Sequence, residues 1–444
     1  MSAGGEFLDD PVDLARRLLQ LDSSNPPGRE QECITLVADV LSRHGIESRL
    51  LARDSSRPNL IARVAGRGEA PPLLLYGHVD VAPASGGWQH PPFSGTLVNG
   101  ELWGRGALDM KGGLAMLLSA FVRAAQAPSA PAGDLLLAAT ADEEAGGKHG
   151  AAFLATEHAD LFKGVRHAIS EFGGYTHHVG GRRLYPIQVA QKGRCLLRLT
   201  AHGPSGHSAT PPSQKTAILK LALVLARIGR RRLPTHITPP VAMMVRSMAD
   251  GLPTGQAIAV RALLRPRLTD LVLNAAGAQA EDLDPLFRNT VVPTGLQSGQ
   301  AGNVIPSSAS VILDGRLLPG HDANNLKLEL HRLASPDAQI EVLEDEPSSR
   351  LRPDLALFDL LAAVLREEDP AGHPFPLVIP GMTDARHFDR LGIQTYGCLP
   401  MRLPPGLMPN LLHAVDERIP AVALTAGAAA IGRIIERYAQ VTQS

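Results

Sequence analysis

PPLLLYGHVDVAP at residues 71–83, KGGLAMLLSAFVRAAQA at 111–127 and GDLLLAATADEEAGG at 133–147 read in order as a strand, a helix and a buried strand that runs into a loop. The two apolar runs are short and bounded by Gly, Pro and acidic residues, as strands are, whereas the middle segment is long, proline-free and apolar at helical spacing. Working outward, IESRLLA (46–52) and NLIARVAG (59–66) add strands, and HGAAFLATEHADLF (149–162) adds a helix. Two amphipathic helical stretches between Asp10 and about Gly45 flank SSNPPGRE (23–30), whose prolines stop the first and whose polar cluster starts the second. This alternation predicts an α/β sandwich with helices on both faces of a sheet.

Near Leu184 the pattern changes. QVAQKGRCLLRLTAHG (188–203) alternates like a strand with one exposed face, KTAILKLALVLARIG (215–229) is helical, SASVILDGRLLPG (308–320) is a strand, NNLKLELHRLA (324–334) a helix and AQIEVLEDE (338–346) a strand. The series predicts a smaller α+β domain inserted into the larger one, dividing the chain into 1–184, an insert over 185–348, and 349–444. The Pro- and Gly-dotted stretch 233–302 is assigned loosely to the insert. A last helix is expected from Ala421 to Tyr438.

Composition excludes several classes. With 43 basic and 44 acidic side chains the chain carries a formal charge of −1, which leaves no excess to hold a nucleic-acid backbone. Cys33, Cys195 and Cys398 lie far apart with no CxxC pair, so neither a zinc ribbon nor a disulfide framework can be drawn. MSAGGEFLDDPVDLARRLL (1–19) has acids where a leader needs a basic start and an apolar core, and no apolar run approaches the ~18 residues of a membrane span. A reduced, cytoplasmic chain with neither nucleic-acid nor membrane partners is expected.

Five places carry candidate chemistry. His78 and Asp80 stand two residues apart at a strand end and so face one side, as a metal ligand and its orienting partner or as an ordinary surface pair. Asp109 in GRGALDMKGG (104–113) is either a helix N-cap or a carboxylate whose flanking glycines let backbone approach a metal. Asp142, Glu143 and Glu144 follow an apolar strand; three adjacent acids repel one another unless solvated or faced by a cation, and strand carboxyl ends are where open α/β sheets place their sites. Glu171 in AISEFGG (168–174) ends another apolar strand, and His413 in LLHAVDERIP (411–420) precedes the last helix. Each admits a structural reading. Together, two His and three or more carboxylates at the ends of successive strands supply the N and O donors of a two-zinc site with one carboxylate bridging.

The ordered set YGHVDVAP (76–83), GRGALDMKGG, TADEEAGG (140–147), SEFGG (170–174), HGPSGHSATPP (202–212), GNVIPSSASVILDGRLLPG (302–320), GMTDARHF (381–388) and HAVDERIP (413–420) resembles the M20 metallopeptidases. That family includes carboxypeptidases, dipeptidases, aminoacylases, acetylornithine deacetylases and succinyl-diaminopimelate desuccinylases, and the resemblance runs from about Asp10 to Tyr438. It implies a zinc-exopeptidase-like α/β sandwich whose insert is a lid, through which members commonly form homodimers. It also implies two Zn2+ per chain, with Co2+ or Mn2+ as substitutes: Asp109 bridging, His78 and Glu171 completing one ion's ligands, Glu144 and His413 the other's. Asp80 would hydrogen-bond the far nitrogen of His78, and Glu143 would be the general base. His207, reaching in from the partner subunit's lid, would donate to the oxyanion. Arg316 and Asn303 would hold a free carboxylate and Thr383 the substrate loop. That loop carries Met382 where Gly-Gly-Thr is commoner, although Thr383 and Arg386 match, and Phe172 adds bulk beside a ligand.

The function expected is hydrolysis of a peptide or N-acyl bond in a small substrate with a free carboxylate, of carboxypeptidase or N-acyl-amino-acid deacylase type. The alternative is a dipeptidase, or a desuccinylase or deacetylase of amino-acid biosynthesis. A non-catalytic metal-binding relative would have lost Glu143 or a ligand, and all are present. A Rossmann dinucleotide site fails because GRGALDMKGG lacks the G-x-G-x-x-G spacing and a strand before its first glycine.

Overall fold

The computed structural model describes residues 9–277, 282–299, 301–334 and 336–442. The first eight residues of the stretch read for a leader, and 278–281 and 300 of the loosely assigned stretch, lie outside the described residues.

Strands Leu73–His78 and Leu135–Thr140 are buried along their whole length. Leu73, Leu75, Leu135, Leu137 and Ala139 enter one core, with helices Pro11–Leu19, Lys111–Gln126 and Ala421–Arg437. Leu74, Tyr76, Leu136 and Ala138 enter a second, with helix Ala151–Glu157 and Phe388. Successive side chains point to opposite faces and both faces are covered, so these strands read as continuous apolar runs instead of alternating ones. The expected α/β sandwich is present.

The large sheet has nine strands, in the order Ser48–Leu51, Asn59–Val64, Leu135–Thr140, Leu73–His78, His167–Ser170, Gln394–Gly397, Arg182–Gln191, Gly372–Ile379, with His177–Val179 paired to Arg182–Gln191. Leu73–His78 runs parallel to both neighbours, and Gln394–Gly397 runs parallel to His167–Ser170. Their carboxyl ends therefore share one edge of the sheet. A second, four-stranded antiparallel sheet has the order Thr290–Ser298, Ser308–Leu317, Gly193–His202, Gln339–Glu346. Every second residue of Gly193–His202 is buried, under helices Ala217–Arg230 and Ala323–Ala334.

Two details differ from expectation. The boundary expected after residue 184 falls inside Arg182–Gln191, which stays in the large sheet, parallel to Gly372–Ile379, until Gln191. The small sheet starts at Gly193, and one buried Lys192 separates two strands within the run 188–203 that reads in sequence as a single alternating strand. The Lys192 Nζ donates to the carbonyls of Pro285 and Arg288, each at 2.8 Å. The stretch 233–302 is also shared. Its helices Pro239–Asp250, Thr254–Ala262 and Pro266–Ala276 bury Val241, Met244, Leu263 and Leu273 with Leu184, Ala190, Phe375 and Val378 of the large sheet, and only Thr290–Ser298 joins the small one. Among the described residues no helix is long and apolar enough to cross a membrane.

Candidate metal centre

Three neighbouring strands deliver most of the cluster. His78 ends its strand, the acids 142–144 follow Thr140, and Glu171 follows Ser170, while Asp109 stands just before helix Lys111–Gln126. Asp142, Phe172 and His413 take positive φ of 68°, 72° and 56°. Non-glycine residues rarely hold such values unless their surroundings enforce them, and these three sit in or next to the cluster.

His78 Nε2 lies 3.1 Å from Asp109 Oδ1 and 3.3 Å from Glu171 Oε2. His413 Nε2 lies 3.0 Å from Asp109 Oδ2 and 3.2 Å from Glu144 Oε1. Asp109 thus turns one oxygen to each imidazole. Ligand atoms of Asp109, Glu144 and His413 lie within 4.8 Å of one another, and so do those of His78, Glu143 and Glu171. The five sequence-derived ligand candidates and Glu143 are therefore all brought together.

Charge in the cluster is unbalanced. Burial, then the charge of Glu171, pushes the Glu143 carboxyl well up, and burial takes Glu171 to about 8. Asp109 is depressed in spite of its burial, by hydrogen bonds from His413 and His78. Hydrogen bonds to Asp109 and Glu144 raise His413 to about 10. Burial opposes the charged form of His78, but Glu171, Asp109 and Asp80 outweigh it and raise its pKa. Four carboxyl groups around two imidazoles lack positive charge, which divalent cations would supply, and an N/O donor set suits Zn2+, Co2+ or Mn2+.

The nitrogen of His78 that faces away from the cluster, Nδ1, donates to the backbone carbonyl of Asp80 at 2.9 Å, whereas the Asp80 carboxylate stands 3.6 Å off. The nearer acceptor for Nδ1 is thus the Asp80 carbonyl and not the expected carboxylate, and this contact turns Nε2 toward Asp109 and Glu171. Sequence reasoning also missed Arg105 and Glu417. Glu417 Oε1 accepts from the backbone N–H of Leu108 at 2.7 Å and of Asp109 at 3.2 Å, and its Oε2 pairs with Arg105 Nη1 at 2.6 Å. Arg105 Nη2 donates to the His413 carbonyl at 2.9 Å. This buried pair thereby joins the backbones that carry two ligand candidates. The available signal was an Arg and a Glu inside two of the quoted motifs.

A cleft of about 410 Å³ opens over the cluster, lined by Glu143, Glu144, Phe172, Met382 and His413 with Arg194, Arg316, Thr383 and Arg386. Arg316 donates through Nε to Asp314 Oδ1 at 2.7 Å, and Arg194, its cross-strand partner, to Asp314 Oδ2 at 2.9 Å. Thr383 reaches the cleft, but its hydroxyl donates to Gln191 Oε1 at 3.0 Å and so anchors its own loop. His207 and Asn303 are exposed and do not line this cleft. They sit together on the ribbon formed by Gly206–His207 and Val304–Ile305, where Ser208 N–H donates to the Asn303 carbonyl at 3.1 Å.

A second His–carboxylate group, His236, His321 and Glu329, also brings its ligand atoms within 4.8 Å. Asn289 Nδ2 donates there to His321 Nδ1 at 3.0 Å and to Glu329 Oε2 at 3.1 Å, and His236 Nε2 contacts Glu329 Oε1 at 2.6 Å. These lone pairs are satisfied by the protein itself.

Residues 74–437 match Peptidase family M20/M25/M40. The chain is 31% identical over 443 residues to a succinyl-diaminopimelate desuccinylase of Paracoccus denitrificans (strain Pd 1222), covering 97% of this chain and 99% of that one. It is 29% identical over 364 residues to the N-fatty-acyl-amino acid synthase/hydrolase PM20D1 of Bos taurus, covering 78% and 70%. Among solved structures, an M20 family metallo-carboxypeptidase, Sso-CP2, of Sulfolobus solfataricus superposes with a TM-score of 0.69 at 18% identity, over 97% of this chain and 99% of that one. The Bacillus subtilis YXEP protein, a dinuclear metal binding peptidase from the M20 family, gives 0.62 at 13% identity over 99% and 100%. A match over this much of the chain, on a fold that gathers His and carboxylate donors at the strand ends, places the protein: it belongs to peptidase family M20/M25/M40 and is a hydrolase of amide C–N bonds.

Proposed function

We propose that the chain is a two-zinc amidohydrolase that cleaves a peptide or N-acyl bond beside a free carboxylate in a small substrate, of carboxypeptidase or N-acyl-amino-acid deacylase type, acting in the cytoplasm as a homodimer. The observation that carries this reading is Asp109, whose two oxygens stand 3.1 and 3.0 Å from two different imidazoles. Two zinc ions held by these residues would supply Lewis acidity and lower the pKa of bound water. Glu143, beside His78 and Glu171, takes the proton of the attacking water and returns it to the departing amine. Arg316 takes the substrate carboxylate, Thr383 holds the loop next to it, and from the second copy Asn303 joins Arg316 on the carboxylate while His207 donates to the developing oxyanion.

A second reading, a desuccinylase, has its own support. Three guanidinium groups, Arg194, Arg316 and Arg386, line one cleft, which suits a substrate with a second carboxylate on its acyl group, and the desuccinylase relative aligns over nearly the whole chain.

The zinc-loaded protein is to be offered dipeptides and N-acetyl-, N-fatty-acyl- and N-succinyl-amino acids, with release of free amine as the readout. Turnover of a free acid and not of its carboxamide is expected, with about two divalent ions per chain by elemental analysis. Preference for N-succinyl substrates selects the second reading. Full activity with a single ion under saturating zinc overturns the binuclear site.

A further inference from the structure

SSNPPGRE (23–30) ends one helix and starts the next, and the fold draws it beneath the metal cluster. Ser23 Oγ donates to the Val79 carbonyl at 2.5 Å and Asn25 N–H to the Val81 carbonyl at 2.9 Å, which seats the segment along the chain that follows His78. Asn25 is buried, and its side-chain Nδ2 donates both to Asp80 Oδ2 at 2.9 Å and to Asp142 Oδ1 at 3.1 Å. Asp142 Oδ1 is also 2.9 Å from Arg57 Nη2, and Arg57 Nε is shared between the two oxygens of Glu30, each at 3.1 Å. Gly28 leaves the room for this: at φ +90°, a Cβ there would stand 2.4 Å from the Arg57 guanidinium.

The chain of contacts ends on the two glutamates. Asp80 Oδ1 accepts from Glu143 N–H and Asp80 Oδ2 from Glu144 N–H, each at 3.1 Å, and Asp142 Oδ2 accepts from His149 N–H at 3.0 Å. Asp80 and Asp142 repel each other, and the Asn25 amide lies between them as a neutral donor to both. We propose that Asn25 and Arg57 are positioning residues for the hydrolysis: they fix Asp80 and Asp142 so that Asp142 keeps the left-handed conformation from which the 3-10 turn Glu143–Ala145 sends Glu143 and Glu144 to different neighbours. The proposal rests on the reading of Glu143 as the base. Asn25, Arg57 and Glu30 do not line the cleft, so they reach the reaction through Asp80 and Asp142.

The test uses the zinc-loaded full chain. Asn25→Ala is expected to lower kcat by about 10²-fold, the scale of misplacing a reacting group by about an ångström, with KM changed less than about twofold. In a Glu143→Gln background the same substitution is expected to cost less than about threefold, because the group it aims is already gone. A general loss of structure would cost the same in both backgrounds. Arg57→Lys keeps the buried charge and with it the fold, but a point charge cannot span Glu30 and Asp142; it should show the same pattern at smaller size. Equal losses in the two backgrounds, or full kcat in both Asn25→Ala and Arg57→Lys, overturn the proposal. Should Asn25→Ala not fold, the Arg57→Lys pair of measurements decides in the same way. A Glu143→Gln enzyme that keeps full activity removes the base assignment itself, and the positioning role falls with it.

Discussion

Glu143 and Glu144 are adjacent, yet their carboxylates sit in different company: Glu143 with His78 and Glu171, Glu144 with Asp109 and His413. Glu143→Gln is therefore expected to keep its metal while turnover falls by about 10²-fold or more, since an amide cannot accept a proton from water. Glu144→Gln is expected to lower metal occupancy, read by elemental analysis after dialysis. A Glu143→Gln enzyme that loses metal and a Glu144→Gln enzyme that retains it would exchange the two roles. His78, Glu144 and Glu171 are legible in the sequence because each is an acid or a His just after an apolar run, whereas Asp109 stands out by the glycines around a helix start and His413 by its place before the last helix. Asn25, Arg57 and Glu417 are not legible there. An Asn before two prolines reads as a turn, and the partners that bury Arg57 and Glu417, namely Glu30 with Asp142 and Arg105, are brought to them only by the fold. The Asp80 carboxylate was assigned to His78 because residues two apart on a strand share a side; the chain leaves the strand after His78, and the carboxylate turns to the 142–144 turn instead.

At the scale of elements, strands buried on both faces were easy to recognise, and the handover between sheets was not, because Lys192 falls inside a run that alternates like one strand. Helix 149–162 also proved shorter than its apolar spacing suggests, stopping at Glu157 before a 3-10 turn over Ala159–Phe162. Strand Arg182–Gln191 is tied to the end of helix Phe358–Glu368 by Arg183 and Asp369, with Nε–Oδ2 at 2.5 Å and Nη2–Oδ1 at 2.6 Å. The Arg183 hydrogen bonds, helped by the Tyr185 hydroxyl, hold Asp369 at about 2, below its unfolded value of ~3.9. The stability this adds is fully present above about pH 4 and is lost as the pH falls through about 2, because the unfolded state binds the proton first. Asp369→Asn should accordingly lower the melting temperature at pH 7 and flatten its decline between about pH 4 and 2. An unchanged acid limb in thermal melts would show that the pair is not coupled to folding.

For the whole molecule, the pair His207 and Asn303 is the part of the expected site that lies outside the cleft. If the ribbon serves a neighbouring subunit, His207→Ala should lower kcat by about 10²-fold without changing zinc content. Mixing it with Glu143→Gln should restore part of the activity once native mass spectrometry shows hybrids, since one site then combines both intact groups. Hybrids that form and stay inactive would mean that His207 serves its own chain's site or none. The two sheets are joined by more than the two connections an insertion requires. The chain leaves the large sheet after Gln191, returns through Pro239–Asp250 to pack on Gly372–Ile379, leaves again after Phe287 into Thr290–Ser298, and comes back after Glu346. Two layers stitched at four points are coupled like the leaves of a book bound along its spine, so any shift of the small sheet against the large one would load four connections at once.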